Sequence, residues 1–157
     1  MGGCIAGYAR QSHGRHDGPE FEVYRRIAGC EGNVYVDVCD TERRVIEVTA
    51  EGWSIITSIE APVRFERKAH MLALPDPKEG GSVEPLRELL HLGDDEEGER
   101  NWRLVSAWLV HALTPNGPYS VLTFLGNQGS GKSVTQRYLR NLIDPNTAPL
   151  RRKLQVT

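Results

Sequence analysis

Residues 119–133 read YSVLTFLGNQGSGKS, an almost wholly apolar run that leads directly into a glycine-rich loop. A short apolar run such as 119–125 is typical of a buried strand in a parallel sheet. The eight residues that follow, 126–133, match the pattern G-x-x-x-x-G-K-[ST] of a phosphate-binding loop, the Walker A motif. The order of strand, glycine-rich loop and helix predicts the first unit of a nucleotide-binding α/β core.

The residue types in this loop suit a nucleoside triphosphate. Gly126, Gly129 and Gly131 allow backbone conformations that turn successive N–H groups toward an anion, and the following helix adds the positive end of its dipole. Lys132 would reach the β- and γ-phosphates, and the Ser133 hydroxyl would ligate Mg²⁺. A glycine turn that binds nothing is the competing interpretation. The predicted cofactors are ATP and Mg²⁺, with Ser133 as metal ligand and a site made of Gly126, Asn127, Gln128, Gly129, Ser130, Gly131, Lys132, Ser133 and Val134.

A helix is predicted to follow the loop. Leu139 and Leu142 would share one face of it, and Pro145 would block its continuation. Arg137 and Arg140 lie three residues apart and so on neighbouring surface of this helix. They would either face a nucleotide or DNA, or point into solvent.

Hydrolysis needs more than this loop. A second acidic motif, Walker B, comes from a later strand in P-loop folds, together with a residue that positions water. Too few residues follow the loop for another full βα unit. The acidic run 94–99 precedes the loop and is interpreted as a solvated loop. We therefore expect no efficient ATP hydrolysis by this chain alone, and an active ATPase would need a partner chain to supply the acidic motif.

The part of the chain before the loop has a different, β-type pattern. Short runs separated by turn residues predict an antiparallel meander, with Tyr35, Trp53 and Phe65 as the large side chains of its small core. The predicted strands are 21–24, 33–38, 44–48, 52–56 and 62–65.

Four segments follow from these patterns. Residues 1–20 are a flexible tail, and 21–70 are the β-rich module. Residues 71–100 contain a proline- and glycine-rich linker and a short helix over 84–92. Residues 101–157 contain a helix over 101–113 and the partial P-loop unit. The predicted fold class is α+β, with a small β-rich N-terminal module followed by helices and an incomplete P-loop α/β unit.

Composition excludes several other classes. The 157 residues are 39% hydrophobic and 25% charged, which is unlike a fully disordered chain, and the formal net charge of -2 argues against a protein coated in basic charge. No apolar run approaches the roughly 20 residues needed to span a bilayer. The start, Met1 to Arg10, lacks a secretory signal pattern, and three cysteines without a CxxC pair favour reduced thiols. We expect a cytoplasmic protein without membrane contact.

Several segments together resemble a known family. The residues GPY at 117–119, the loop itself, IDPN at 143–146 and APLR at 148–151 are similar to P-loop ATP-binding proteins of phages and mobile elements. That family is similar to primase-associated, superfamily-three-like helicases. The resemblance covers residues 21–151 and implies ATP binding at 126–133 in DNA replication or transfer of a mobile element. Family members continue into a Walker B strand, whereas this chain looks truncated after Walker A.

The partners follow from these expectations. A nucleotide is the first, and DNA or a replication protein is the second. An apolar strand at 119–125 without neighbours would promote association with another chain, so an oligomer or a required partner chain is expected. The alternative function is a non-catalytic interaction module in which the β-rich region contacts DNA or a replication protein.

Overall fold

The computed structural model describes residues 21–148, so the flexible tail expected at 1–20 and the end of the chain at 149–157 lie outside the described residues. The described chain is α+β, with a four-stranded antiparallel sheet followed by three helices. The elements in chain order are β1 (Ile27–Cys30), β2 (Asn33–Asp37), β3 (Arg44–Val48), β4 (Trp53–Thr57), α1 (Glu84–Leu90), α2 (Glu96–Ala112) and α3 (Lys132–Ile143).

The chain divides into two compact units. The first contains the sheet, in residues up to Leu74 together with Thr114–Gly117, and the second contains the helices, in Pro75–Leu113 and the residues from Pro118 onward. Among residues 21–148, every helix is too short or too polar to span a bilayer. The linker residues 72–82 contain no helix or strand, as their prolines and glycines predicted.

The sheet is a simple meander in the order β1-β2-β3-β4, and each neighbouring pair is antiparallel, which confirms the predicted topology. A two-residue turn, Glu31 and Gly32, joins β1 to β2. Both residues have positive φ, 51° and 86°, as the tight hairpin turn that matches the twist of the strands requires.

Two predicted strands are wrong. Residues 21–24 and 62–65 make only one isolated parallel bridge, between Tyr24 and Phe65, while the first strand of the sheet is β1. Gly29 lies inside β1 and pairs with Val34. A Cβ atom on Gly29 would lie 2.7 Å from the side chain of Pro115. Glycine is therefore needed at this strand position for close approach.

One face of the sheet carries the core of the first unit. The buried cluster consists of Ala28, Cys30, Tyr35, Val45, Ala61 and Val63. Tyr35 is buried and Phe65 packs against the cluster, as predicted, whereas Trp53 is 42% exposed and that prediction is wrong. Trp53 pairs with Val48 in the register, which places it on the face opposite Tyr35 because side chains alternate along a strand. Cys39 is a free thiol, but Cys30 is disulfide-bonded, so the prediction of reduced thiols is wrong at Cys30.

The acidic residues of 94–97 are exposed, as the sequence predicted, but the run is not a loop. Helix α2 starts at Glu96 rather than at residue 101, and Asp95 is its N-cap. The Asp95 carboxylate accepts a hydrogen bond from the Gly98 N–H at 2.8 Å. Carboxylates in a first helical turn are favoured by the positive end of the helix dipole. The acidic residues therefore begin the helix instead of ending before it.

The second unit has its own small core, and residues 119–125 contribute to it without forming a strand. Leu90, Trp102, Val105 and Leu139 are buried together, with Leu122 and Phe124 packed against them. The predicted strand over 119–125 is wrong for the described residues, because these residues have no strand neighbour to complete a ladder. Helix α3 occupies the predicted position after the loop and ends at Ile143, two residues before Pro145.

Candidate functional site

The candidate site is the loop between residue 125 and α3, whose shape is set by three glycines. Gly126, Gly129 and Gly131 have φ values of 151°, 87° and 78°. These values lie in the region that side chains other than glycine rarely adopt. Gly131 is also the N-cap of α3, so the loop feeds directly into the first helical turn.

The Lys132 side chain folds back across this loop. Its ammonium group donates to the carbonyl oxygens of Gly126 and Asn127 at 2.8 and 2.5 Å, and to the Ser130 hydroxyl at 3.0 Å. An ammonium group has three protons, so these contacts use all of its donor capacity. The loop therefore encloses a positive charge at its centre, although Lys132 is the first residue of the helix.

Several backbone N–H groups at the start of α3 have no hydrogen-bond acceptor among the described residues. The N–H groups of Val134 and Thr135 donate to the Gly131 carbonyl at 2.8 and 3.0 Å. Within residues 21–148, no protein acceptor takes the N–H groups of Gly131, Lys132 or Ser133. The first turn of this 12-residue helix also contains no acidic residue. The N-terminus of α3 therefore presents unpaired donors and a positive dipole end, with no carboxylate of its own to compete for them.

The loop is open to an approaching molecule. Added Cβ atoms on Gly129 and Gly131 would meet no atom within 4 Å, whereas one on Gly126 would lie 2.9 Å from the Ser130 hydroxyl oxygen. Gly126 is thus needed where the chain passes close to Ser130. At Gly129 and Gly131 it is the positive φ angle, and not crowding by other atoms, that favours glycine.

Each residue of the predicted site lies in this arrangement. Asn127, Gln128 and Ser130 belong to the exposed loop, and Ser133 and Val134 are exposed in the first turn of α3. The sequence analysis did not identify the Ser130 hydroxyl as a partner of Lys132. Its position in the variable part of the motif gives no signal for that contact.

The residues fit a magnesium-bound triphosphate better than an isolated metal ion. Over the described part of the chain, no group of three or more His, Cys, Asp or Glu side chains could hold a metal. Mg²⁺ commonly takes only one or two protein oxygens and completes its shell with phosphate oxygens and water. The Ser133 hydroxyl at the helix start is an oxygen of that chemical type.

A separate cavity of about 580 Å³ lies between α2, α3 and residues 119–124 of the same unit. Trp108, Leu122 and Leu139 are among its apolar lining residues, and none of residues 126–134 lines it. On its rim, the Trp108 indole N–H donates to the Ser120 carbonyl at 2.9 Å. The sequence analysis did not predict this cavity.

Arg140 pairs away from the loop, at the end of α3. It also lines the cavity, and its guanidinium pairs with Asp144 at 2.8 Å. Arg137 is exposed. The charge nearest to the loop backbone is therefore that of Lys132.

Comparison with known proteins assigns no family or function to this loop. No protein-family model, no curated protein and no solved structure matches the chain with significance. The case for a function consequently depends on the loop itself and on the chemistry of its residues.

Proposed function

We propose that residues 126–134 bind ATP together with Mg²⁺. The observation that carries this proposal is the Lys132 ammonium group, which is held inside a glycine loop beside the open N–H groups of Gly131, Lys132 and Ser133. A cation and unpaired amides at one helix N-terminus make an anion-binding arrangement. The Walker A pattern supports a polyphosphate as the anion.

Binding would exchange partners within the loop. A phosphate oxygen would replace the Gly126 and Asn127 carbonyls as acceptors for Lys132, because a charged acceptor makes a stronger hydrogen bond than a neutral one. The open N–H groups at the start of α3 would donate to further phosphate oxygens. The Ser133 hydroxyl would ligate Mg²⁺, which neutralises part of the phosphate charge when it is bound.

We further propose that the loop belongs to an incomplete P-loop unit of a mobile-element DNA replication or helicase-like ATPase. The resemblance of the sequence to that family supports this context. The chain alone would bind nucleotide without efficient hydrolysis, since catalysis needs an acidic strand-end group and a residue that positions water. A partner chain would supply those groups.

A titration with a fluorescent ATP analogue and Mg²⁺ tests the proposal. The wild-type chain should bind saturably, and Lys132→Ala should weaken binding by about tenfold or more, because it removes the charge in the loop. Lys78→Ala is the matched control, because Lys78 is an exposed linker lysine of the same unit and its loss should leave the affinity unchanged. Equal binding by wild type and Lys132→Ala would contradict the proposed site.

The same samples test the proposed lack of hydrolysis. Phosphate release from ATP by the wild-type chain should stay at the level of the Lys132→Ala variant. Appreciable turnover that disappears with Lys132→Ala would show that the described loop is part of a complete catalytic site.

A second candidate function is a non-catalytic interaction module, and one feature of the sheet favours it. The face opposite the core carries apolar side chains in adjacent positions of β2, β3 and β4, and its exposed members are Val48, Trp53 and Ile55. Such a surface suits an apolar patch of a replication protein rather than DNA, whose backbone requires positive charge.

Duplex DNA provides the test between these partners. We expect no saturable DNA binding at low salt, where phosphate contacts are strongest. Binding that weakens as salt is added would contradict a purely apolar interaction surface.

A further inference from the structure

A second cavity, of about 490 Å³, lies within the first unit. It is formed by the end of β2, the residue before β3 and the segment that follows β4. Its volume is within the range of roughly 300–1,000 Å³ that is usual for small-molecule sites. Most of its lining residues are charged or polar, and these are Asp37, Arg43, Ser58, Arg64, Glu66 and Arg67.

Both carboxylates that line this cavity are already paired with a cation. The Arg67 guanidinium donates to the two oxygens of the Asp37 carboxylate at 2.5 and 2.9 Å. The Glu66 carboxylate forms an ion pair with the Lys68 ammonium group. The acidic side chains of the lining are therefore neutralised by partners other than Arg43 and Arg64.

The guanidinium groups of Arg43 and Arg64 have no carboxylate partner among residues 21–148. The guanidinium carbon of Arg64 lies 3.7 Å from the centre of the Phe21 ring. Stacking of this kind holds the plane of the guanidinium and uses none of its N–H donors. The cavity thus has two positive charges in its lining that the described chain does not compensate.

The backbone at Arg43 is unusual for a residue with a long side chain. Its φ is 59°, in the left-handed region where a residue other than glycine is strained. The Arg43 carbonyl accepts a hydrogen bond from the Ser58 N–H at 2.9 Å, which fixes these two lining residues beside each other. Glycine would fit this turn with less strain, so the turn itself does not explain an arginine here.

We propose that this cavity binds the phosphate monoester of a small molecule. A monoester carries a charge of about -2 at neutral pH, which matches the two uncompensated guanidinium groups. Guanidinium forks bind phosphate oxygens in pairs, and the Ser58 hydroxyl is a further donor in the lining. Buried Val63 and half-buried Phe65 provide apolar surface for the group that is esterified to the phosphate. The glycine-rich loop belongs to the other unit, so this proposal does not depend on nucleotide binding.

Isothermal titration calorimetry with phenyl phosphate tests the cavity. The wild-type chain should bind it saturably, and Arg43→Gly and Arg64→Gln should each weaken binding by about fivefold or more, because each removes one charged donor. Arg100→Ala is the matched control, since Arg100 is an exposed arginine of α2 in the other unit, and it should retain the affinity. Benzoate has the same ring with a single charge and should bind more weakly than phenyl phosphate.

Two further comparisons separate binding from folding and from the glycine-rich loop. Arg43→Gly should unfold at the same temperature as wild type or higher, because glycine adopts the positive φ more easily. Lys132→Ala should retain the affinity for phenyl phosphate. The proposal would be overturned by a wild-type chain that does not bind, by equal affinity for benzoate, or by binding that survives Arg43→Gly and is lost with Lys132→Ala.

Discussion

The four-stranded sheet and residues 119–125 share a β-type sequence pattern, but only the sheet forms strand pairs. Strands β1 to β4 follow one another along the chain, so each finds an antiparallel neighbour within a few residues. Residues 121–125 alternate in burial as a strand does, yet no other described segment pairs with them. Local pattern thus specifies which face is buried, while strand formation requires a neighbour.

Residues with positive φ angles also differ between the sheet and the glycine-rich loop. At Glu31 and Gly32 they close a hairpin between two paired strands. At Gly129 and Gly131 they leave space around the backbone, and the N–H of Gly131 finds no acceptor among the described residues. Glu31 and Gly32 thus serve strand pairing. Gly129 and Gly131 instead belong to a candidate binding site, where backbone N–H groups lack protein acceptors among the described residues.

The largest effect is expected from an aromatic residue on the covered face of the sheet. Tyr35→Ala should lower the free energy of unfolding by about 3–5 kcal/mol, because it empties a buried position and removes the hydrogen bond to Glu47. Trp53→Ala, on the open face, should cost less than about 1 kcal/mol. Urea denaturation of both variants measures the difference. Equal losses would mean that the two faces do not differ in burial as described.

A smaller effect is expected at the start of α2. Asp95→Ala should destabilise the second unit by about 1 kcal/mol, because the Gly98 N–H loses its side-chain acceptor. Asp94→Ala removes a neighbouring acidic residue that is not the cap, and it should be close to neutral. Thermal unfolding of the two variants compares them. If both are neutral, the cap makes no measurable contribution and the first helical turn would be frayed in solution.

The smallest effect is a pH dependence of the unfolding free energy of the first unit, which arises from Asp40. Burial raises the pKa of Asp40, but hydrogen bonds from the Arg44 backbone and guanidinium outweigh it, so the pKa lies below its ordinary value. A lowered pKa means that the ionised carboxylate stabilises the fold above its unfolded pKa of about 3.9, and that this contribution is lost as pH falls through the folded value.

Asp40→Asn removes that titration. Wild type should exceed the variant in unfolding free energy by about 1 kcal/mol or less near neutral pH. The excess should shrink below about pH 4. Urea denaturation across the pH range checks this, and an excess that grows on acidification would contradict the assigned ion pair with Arg44.

The sequence predicted the parts of the fold that depend on neighbours in the chain. The meander and the helix after the loop follow from local patterns, and both are present. The first strand was misplaced, and the glycine that it contains at position 29 lies against Pro115, a residue far away in the chain that local pattern does not reveal. The exposure of Trp53 depends on strand register, and an aromatic residue fits either face of a sheet until that register is known.

The candidate site was predictable in position but not in its contacts. The Walker A pattern placed the loop and Lys132 at the start of a helix, as the structure has them. The return of Lys132 to two carbonyls and the Ser130 hydroxyl is a three-dimensional arrangement that spacing alone does not specify. The acidic run was misinterpreted as a loop because its charges are exposed in either structure, whereas Asp95 is the N-cap of α2 and the residues after it form the first helical turn.

Amide hydrogen exchange with and without Mg²⁺ and ATP is the most direct test of the central proposal that the loop binds nucleotide. We predict slower exchange at the N–H groups of Gly131, Lys132 and Ser133, which lack protein acceptors within residues 21–148, and no change in β2 and β3. The slowing should be absent in Lys132→Ala. Unchanged exchange in the wild-type loop at saturating nucleotide, or slowing confined to the sheet, would contradict the proposal.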